Sequence, residues 1–335
     1  MLSCLKPTEA WQDMEALTLS GKHPVIFSYK SVAKLAGSSP LWDEAGNWIN
    51  QRFKPLVVRC GKCVFCRRAR AEEIGVRAML EMKSYPADIP HAFITLTVSD
   101  DHMSEVFPSG RLDHRPFQLF MKRLRKSGIV CRYLMCGEYG EKTHRPHYHV
   151  ILFGWCPLDS YVDDLGCYHC SRQLEQLWPF GHVMCDPVNA NRIFYVAGYT
   201  LKNNGDERYA PYVRWSRRPG LGAAYIDAHG WSRMVIEDVQ WFRNEKFKSW
   251  YYRTFNGRKE IRFGSRYMDN RLALTDEKRF DTLLSARRGR FSVELQNLKE
   301  SPTLADLSAR SLMNRAKSLN YQLARKSREL RSDVA

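Results

Sequence analysis

The chain has 335 residues, 44% of them hydrophobic, and a formal net charge of +16 from 52 Lys and Arg against 36 Asp and Glu. It holds enough apolar residues to bury a core, and the charge excess calls for a polyanionic partner, because neutralised phosphates release counterions. No run approaches the ~20 apolar residues of a membrane-spanning helix, and Met1-Leu-Ser-Cys4-Leu-Lys6 lacks the apolar stretch of a signal peptide. The expectation is therefore a protein that is not secreted and has no membrane partner. Its 10 cysteines then read as thiols or metal ligands rather than a disulfide framework.

Residues 1–55 are polar and loop-rich, without clear periodicity. Cys60, Cys63 and Cys66 follow at Cys-x-x-Cys-x-x-Cys spacing, the knuckle form of structural zinc sites, with a fourth ligand missing locally. Arg67, Arg68 and Arg70 come directly after, as a basic turn facing DNA or as a solvated helix face. From Arg67 to about Tyr85, apolar residues such as Ile74, Ala78 and Met82 recur at helical spacing, and Pro86 and Pro90 end the run. His91 to Val98 alternates and is β-branched, as a central strand should be. Residues 101–112 read as a loop. Arg115 to Lys126 is an amphipathic helix with Phe117, Phe120, Met121 and Leu124 inward and Lys122, Arg123, Arg125 and Lys126 outward.

Val130 to Cys136 is a second extended run, and a polar link through Gly140 and Pro146 leads to His147-Tyr-His149 and the apolar Val150–Phe153. On a strand, residues i and i+2 share a face, so both imidazoles can meet one ion; the plain alternative is a pair of satisfied strand histidines. If the two strands pair antiparallel, Glu138 lies opposite His147 and adds a carboxylate. Two imidazole nitrogens and one carboxylate oxygen suit Mg²⁺ or Mn²⁺ acting on a phosphate. Residues 155–170 form a loop whose Cys167-Tyr-His-Cys170 is a second zinc candidate with Cys156 or Cys185. Ser171–Trp178 reads as a short capped helix and Gly181–Asp186 as a strand.

Asn191 to Lys202 is a short helix that Asn189 or Asn191 can cap. Tyr195, Tyr199 and Lys202 share one stripe, predicted to face outward, while Phe194, Ala197 and Leu201 form the buried one. The residues from Arg208 to Gly222 interleave arginines and aromatics, among them Arg214, Arg217 and Arg218, a composition suited to single-stranded nucleic acid. Residues 231–275 hold short β-like runs with a hairpin turn at Asn256-Gly257. Residues 276–335 read as a basic helical tail. The mixed order of elements gives an α+β class: an antiparallel sheet of about five strands with flanking helices, plus a helical C-terminal extension.

Taken together, Phe93-Ile-Thr-Leu-Thr97, His147-Tyr148-His149 and Tyr195-x-x-x-Tyr199-x-x-Lys202 resemble, in order and spacing, the three motifs of the HUH-endonuclease superfamily. More narrowly, the likeness is to the replication initiators of microviruses, small single-stranded DNA phages, in their gokushovirus branch. The resemblance spans roughly residues 55–230, with the HUH domain set at 56–230. It implies that His147 and His149 hold a divalent metal, that Tyr195 and Tyr199 are nucleophiles, and that Lys202 contacts phosphate. The resembling proteins carry an early cysteine, which makes Cys4 a candidate fourth zinc ligand; the Cys167–Cys170 cluster is the other. The resemblance further implies a nickase that joins DNA to tyrosine at the origin of a double-stranded replicative form. It would work with a host polymerase and helicase in the cytoplasm of a bacterial host. A transposase or relaxase of the same chemistry, and a non-catalytic zinc-containing regulator, are the competing readings.

Overall fold

The computed structural model describes residues 4, 8–19, 23–44, 49–140, 144–162, 169–201 and 210–229. In the C-terminal third it describes 241–244, 249–254, 257–261, 266–278, 281 and 285. The chain forms two compact units, whose described residues fall within 1–67 and within 68–299.

The first unit contains β1 (Thr8–Asp13), β2 (Val25–Ile26), α1 (Tyr29–Ala36) and β3 (Phe53–Val58). The strands pair antiparallel in the order β2-β1-β3 over a small core of Trp11, Val32, Leu41 and Phe53. The sequence suggests only loops here, and the reason is visible: β2 has two residues, and β1 buries Ala10 and Trp11 side by side instead of alternating. Asp13 fastens the unit by accepting from Arg52 Nε at 3.1 Å and Nη2 at 3.0 Å. Helix α2 (Val64–Lys83) begins in this unit and runs into the next.

In the second unit the elements are β4 (Ala92–Thr97), α3 (Met103–Val106), α4 (Arg115–Lys126), β5 (Arg132–Tyr139) and β6 (Pro146–Phe153). They continue with β7 (Ser160–Val162), β8 (His169–Ser171), α5 (Arg172–Leu177), β9 (Val183–Pro187), α6 (Ala190–Gly198), β10 (Tyr212–Trp215) and α7 (Ala223–His229). A β-meander of β11 (Trp241–Asn244), β12 (Ser249–Thr254) and β13 (Gly257–Ile261) precedes α8 (Arg266–Thr275). The five-stranded antiparallel sheet has the order β10-β5-β6-β4-β9, with β6 at its centre, so the α+β class holds. Thr254 pairs with Gly257, so the turn predicted at Asn256-Gly257 falls between β12 and β13, although residues 255 and 256 lie outside the described residues. Most of the predicted C-terminal tail lies outside them too. Short α3 and the β7-β8 pair occupy stretches expected to be loops.

Strand alternation gives the sheet two buried faces. Leu134, Cys136, Ile151 and Phe153 point to one, packed by α2, α6 and α7. Ile94, Leu96, Met135, Tyr148, Val150 and Leu152 point to the other, packed by α4, α5 and Trp178. On that second face Phe117, Phe120, Met121 and Leu124 are all buried, each contributing about 1.5–3 kcal/mol of transfer free energy. Asn189 caps α6 by accepting from Arg192 N at 2.9 Å. Gly75 in α2 lets that helix in close: a Cβ there would lie 2.3 Å from the Phe194 ring.

Candidate active site

The antiparallel β5-β6 register puts Glu138 opposite His147. His147, His149, Ile151 and Phe153 alternate onto the α6 side of the sheet, so the two imidazoles extend an apolar row to its polar end. There they converge on one oxygen: His147 Nε2 lies 3.0 Å and His149 Nε2 3.1 Å from Glu138 Oε1. An octahedral ion with ligands at about 2.1 Å spaces neighbouring ligand atoms about 3.0 Å apart. The three donors, all within 4.8 Å of one another, therefore fit a magnesium- or manganese-sized ion.

Each imidazole is oriented by its other nitrogen. His147 Nδ1 lies 3.1 Å from the Arg145 carbonyl, which can only accept, so the proton sits on Nδ1 and the Nε2 lone pair faces the centre. His149 Nδ1 lies 3.0 Å from Thr95 Oγ1 on β4, whose register places Thr95 opposite His149. The ring of Phe93 stacks on His149 at 5.8 Å and 10°, and Tyr199 lies against it at 5.8 Å and 29°. Thr95 and the Arg145 carbonyl are site groups that sequence reasoning missed. The signal for Thr95 was the alternation of Phe93-Ile-Thr-Leu-Thr97, once paired with β6.

The tyrosines differ from expectation. The stripe holding Tyr195 and Tyr199 faces the sheet, and Tyr199 is only 2% exposed and part of the core. The buried arc of α6 also takes in Ile193, Val196 and Ala197, which makes it wider than the predicted Phe194-Ala197-Leu201 stripe. Tyr195 Oη lies 3.3 Å from His149 Nε2 and shares a short hydrogen bond with Tyr199 Oη, which donates in turn to Glu138 Oε1. Burial first, then the Glu138 charge, raises the Tyr195 phenol well above its usual range. For Tyr199 burial is again the largest cause, followed by Cys136 and Glu138. Lys202 lies outside the described residues. The middle residue of the second motif points the other way: Tyr148 is buried among α4 side chains and donates to the Asp113 carbonyl at 2.5 Å, which satisfies its hydroxyl.

In the first unit, Cys4, Cys60, Cys63 and Cys66 bring four sulfurs within 4.8 Å of one another, with Cys63–Cys4 at 3.9 Å and Cys60–Cys66 at 4.0 Å. Tetrahedral zinc thiolates, with bonds of about 2.3 Å, have edges of about 3.8 Å. The donor set fits that ion, and Cys4 rather than the later cluster joins the knuckle. The amides of Cys63 and Lys62 draw the Cys60 thiol down to about 6, while burial pushes Cys66 up to about 12. Of the second cluster, Cys167 lies outside the described residues. Among the described residues Cys156, Cys170 and Cys185 join no group of three metal-ligating atoms.

The basic residues divide. Lys122, Arg125, Lys126, Arg214, Arg217, Arg218 and Arg70 are exposed. Arg67 is half-buried, and Arg68 pairs with Glu72 at 2.8 Å. Arg123, expected outward, instead donates to the Leu177 carbonyl at 2.7 Å and lies over Phe180.

A sheet whose central strand carries the histidine pair, with a facing carboxylate and a tyrosine helix laid over it, is the setting in which the comparisons with known proteins fall. Residues 91–204 match the replication-associated protein ORF2 family, and this segment holds all three ligands and both tyrosines. The chain is 32% identical over 199 residues to replication-associated protein VP4 of Bdellovibrio phage phiMH2K, covering 54% of this chain and 61% of that protein. It is 35% identical over 158 residues to replication-associated protein ORF4 of Chlamydia phage 1, covering 43% and 37%. With replication-associated protein ORF2 of Spiroplasma virus 4 it is 33% identical over 221 residues, covering 62% and 63%. The family resemblance drawn from the motifs is thus borne out, and the chain spans less than two thirds of each of these relatives. No solved structure matches. No described helix is long and apolar enough to cross a membrane.

Proposed function

We propose that this protein is a phage replication initiator, a metal-dependent single-strand DNA endonuclease and strand transferase that drives rolling-circle replication. The observation that carries the reading is the 3.3 Å approach of Tyr195 Oη to His149 Nε2, beside a carboxylate and a second imidazole. A divalent cation, Mg²⁺ or Mn²⁺, held by His147, His149 and Glu138 supplies Lewis-acid stabilisation of charge on the scissile phosphate. Tyr195 Oη attacks phosphorus in line: the Oη–P bond forms, the P–O3′ bond breaks, and the departing 3′ oxygen gains the proton that the phenol loses. The tyrosine ester conserves the phosphodiester free energy, so the strand is rejoined without a nucleotide cofactor. Tyr199, one turn on, serves the second cleavage, when the regenerated origin is cut while the first end is still held. Lys202 contacts a phosphate, and zinc on Cys4, Cys60, Cys63 and Cys66 stabilises the N-terminal unit. The substrate is the origin of the double-stranded replicative form, opened to single strands. A host polymerase extends the free 3′ end and a helicase unwinds ahead of it, in the bacterial cytoplasm.

The test is a gel. Incubated with single-stranded origin oligonucleotides and Mn²⁺, the protein is expected to form an adduct that survives denaturation. Tyr195→Phe should reduce it more than Tyr199→Phe, because Tyr195 is the less buried, and the double change should abolish it. A double variant that still forms the adduct refutes the assignment. No adduct under any condition favours a non-catalytic DNA-binding regulator.

A further inference from the structure

The largest cavity among the described residues lies on the face of the sheet away from the tyrosines. It has a volume of about 400 Å³ and is lined by Phe117, Tyr133, Gln118, Arg115, Lys122 and Arg125. That volume lies within the range of small-ligand sites. Tyr133 sits on β5, five residues before Glu138, and strand alternation turns it to the opposite side. Its backbone N–H donates to Ser216 Oγ at 3.1 Å, which brings the arginine-rich segment after β10 alongside the cavity. Burial pushes the Tyr133 phenol up, and the charges of Arg125, Arg217 and Arg214 act on it in the other direction. The cations of α4 and those after β10, separate patches in the sequence, therefore surround one aromatic floor. His114 closes the edge against Phe117 at 5.5 Å and Tyr212 at 5.7 Å. Burial lowers its imidazole, so at neutral pH it adds no charge.

We propose that this cavity is a second single-stranded DNA subsite, which takes one unstacked base onto Phe117 and Tyr133 and holds the flanking phosphates with Lys122, Arg125, Arg214 and Arg217. Aromatic stacking inside a ring of cations suits an unpaired base, whereas a base locked in a duplex has no free face to offer. Gln118, exposed at the rim, provides amide donors and an acceptor for a base edge. Five strand residues at about 3.4 Å each put this cavity about 17 Å along β5 from the metal ligands. At about 3.4 Å per phosphate, a strand reaching both sites needs about five nucleotides between them. The subsite would hold the strand next to the cut. It rests on single-stranded DNA being the substrate, as proposed above.

The test uses the full chain and oligonucleotides carrying 5-iodouracil at successive positions, irradiated and digested for mass spectrometry. Expected are cross-links on the peptides holding Phe117 and Tyr133, strongest when the modified base lies about five or more nucleotides from the scissile phosphate. In fluorescence anisotropy at about 0.1 M salt, Lys122→Glu/Arg125→Glu should weaken binding at least about tenfold. The same pair should reduce the slope of log affinity against log salt by about 1.4, the share of two phosphates on a single strand. Cross-links absent from both peptides, or inorganic polyphosphate displacing the oligonucleotide as well as DNA of equal charge does, overturn the subsite. An acidic peptide that displaces the iodouracil strand from these two peptides at lower concentration than DNA does also overturns it, in favour of a protein partner. Tyr195→Phe/Tyr199→Phe should keep the cross-link. An adduct without the cross-link sinks the subsite alone, whereas a cross-link without any adduct sinks the nuclease reading and leaves the subsite standing.

Discussion

Thr95→Val changes one hydroxyl for one methyl at the most informative point of the site. Thr95 is buried on a central strand, where valine suits the backbone, so the substitution tests a hydrogen bond rather than a fold. For Nε2 of His149 to offer its lone pair to a cation, Nδ1 must carry the proton, and Thr95 Oγ1 at 3.0 Å is the atom placed to accept it. With valine, a buried N–H loses this partner, at a cost of about 1–3 kcal/mol, or the proton moves to Nε2 and competes with the cation. Losses of such supporting partners lower metal affinity about 10–100-fold, or about 1.4–2.7 kcal/mol. The lower end is expected here, because Phe93 and Tyr199 already fix the plane of the ring and the hydroxyl governs mainly its proton. Calorimetric titration with Mn²⁺ gives the dissociation constant, with Thr95→Ser as the rescuing control. Unchanged Mn²⁺ affinity in Thr95→Val, or no recovery with serine, would refute the orientation argument.

Gly75→Ala sets two effects against each other. Alanine gains about 1 kcal/mol of helix propensity, but its Cβ would sit 2.3 Å from the Phe194 ring, and overpacking of this kind costs about 1–3 kcal/mol. Net destabilisation with a slower adduct is expected, and Gly75→Ala/Phe194→Ala should remove the clash; a thermal melt reads both. Cys60→Ser should release zinc from the purified protein, measured by atomic emission, and lower the melting temperature of the N-terminal unit; retention of one zinc per chain would count against the four-sulfur site. Asp13 gives a pH signature: the side-chain bond from Arg52 leads in holding its carboxyl below the ordinary value of 3.8. Because the folded pKa is depressed, the stabilisation is complete above pH 3.8 and lost as pH falls below it. Asp13→Asn should flatten acid unfolding of that unit in this window, followed by circular dichroism.

The ligand set was legible in the sequence because a strand has a period of two and an antiparallel hairpin has a mirror register. His147 and His149 share a face for that reason alone, and Glu138 reaches His147 by counting back through the loop. Helices α4 and α5 and the Asn189 cap were legible for equally local reasons. What was not legible depended on the partner across a contact. A stripe of two tyrosines looks amphipathic until a carboxylate and an imidazole accept its hydroxyls, and only then is burying it inexpensive. Arg123 reads as solvated, yet its stem and guanidinium cover Phe180 because the Leu177 carbonyl is within reach. The N-terminal sheet was hidden by strands too short to show a period.

The inward turn of the tyrosines bears on how such a site keeps its geometry. Leu134, Cys136, Ile151 and Phe153 lie in the rows that Glu138, His147 and His149 continue, and Ile193, Val196 and Ala197 on α6 pack over them. The polar cluster is therefore the last layer of the core rather than a set of groups on a loop. A side chain in a close-packed layer cannot drift by an ångström without opening a void or a clash, so the packing that stabilises the domain also holds the phenols near the imidazoles. The same burial raises both phenols, which are neutral at physiological pH. Under the proposed chemistry, a neutral phenol must lose its proton as the Oη–P bond forms. The buried hydrogen-bond chain from Tyr195 through Tyr199 to Glu138 holds the Tyr199 hydroxyl at the centre, so freeing it for a second cleavage requires Glu138 to exchange that bond for another.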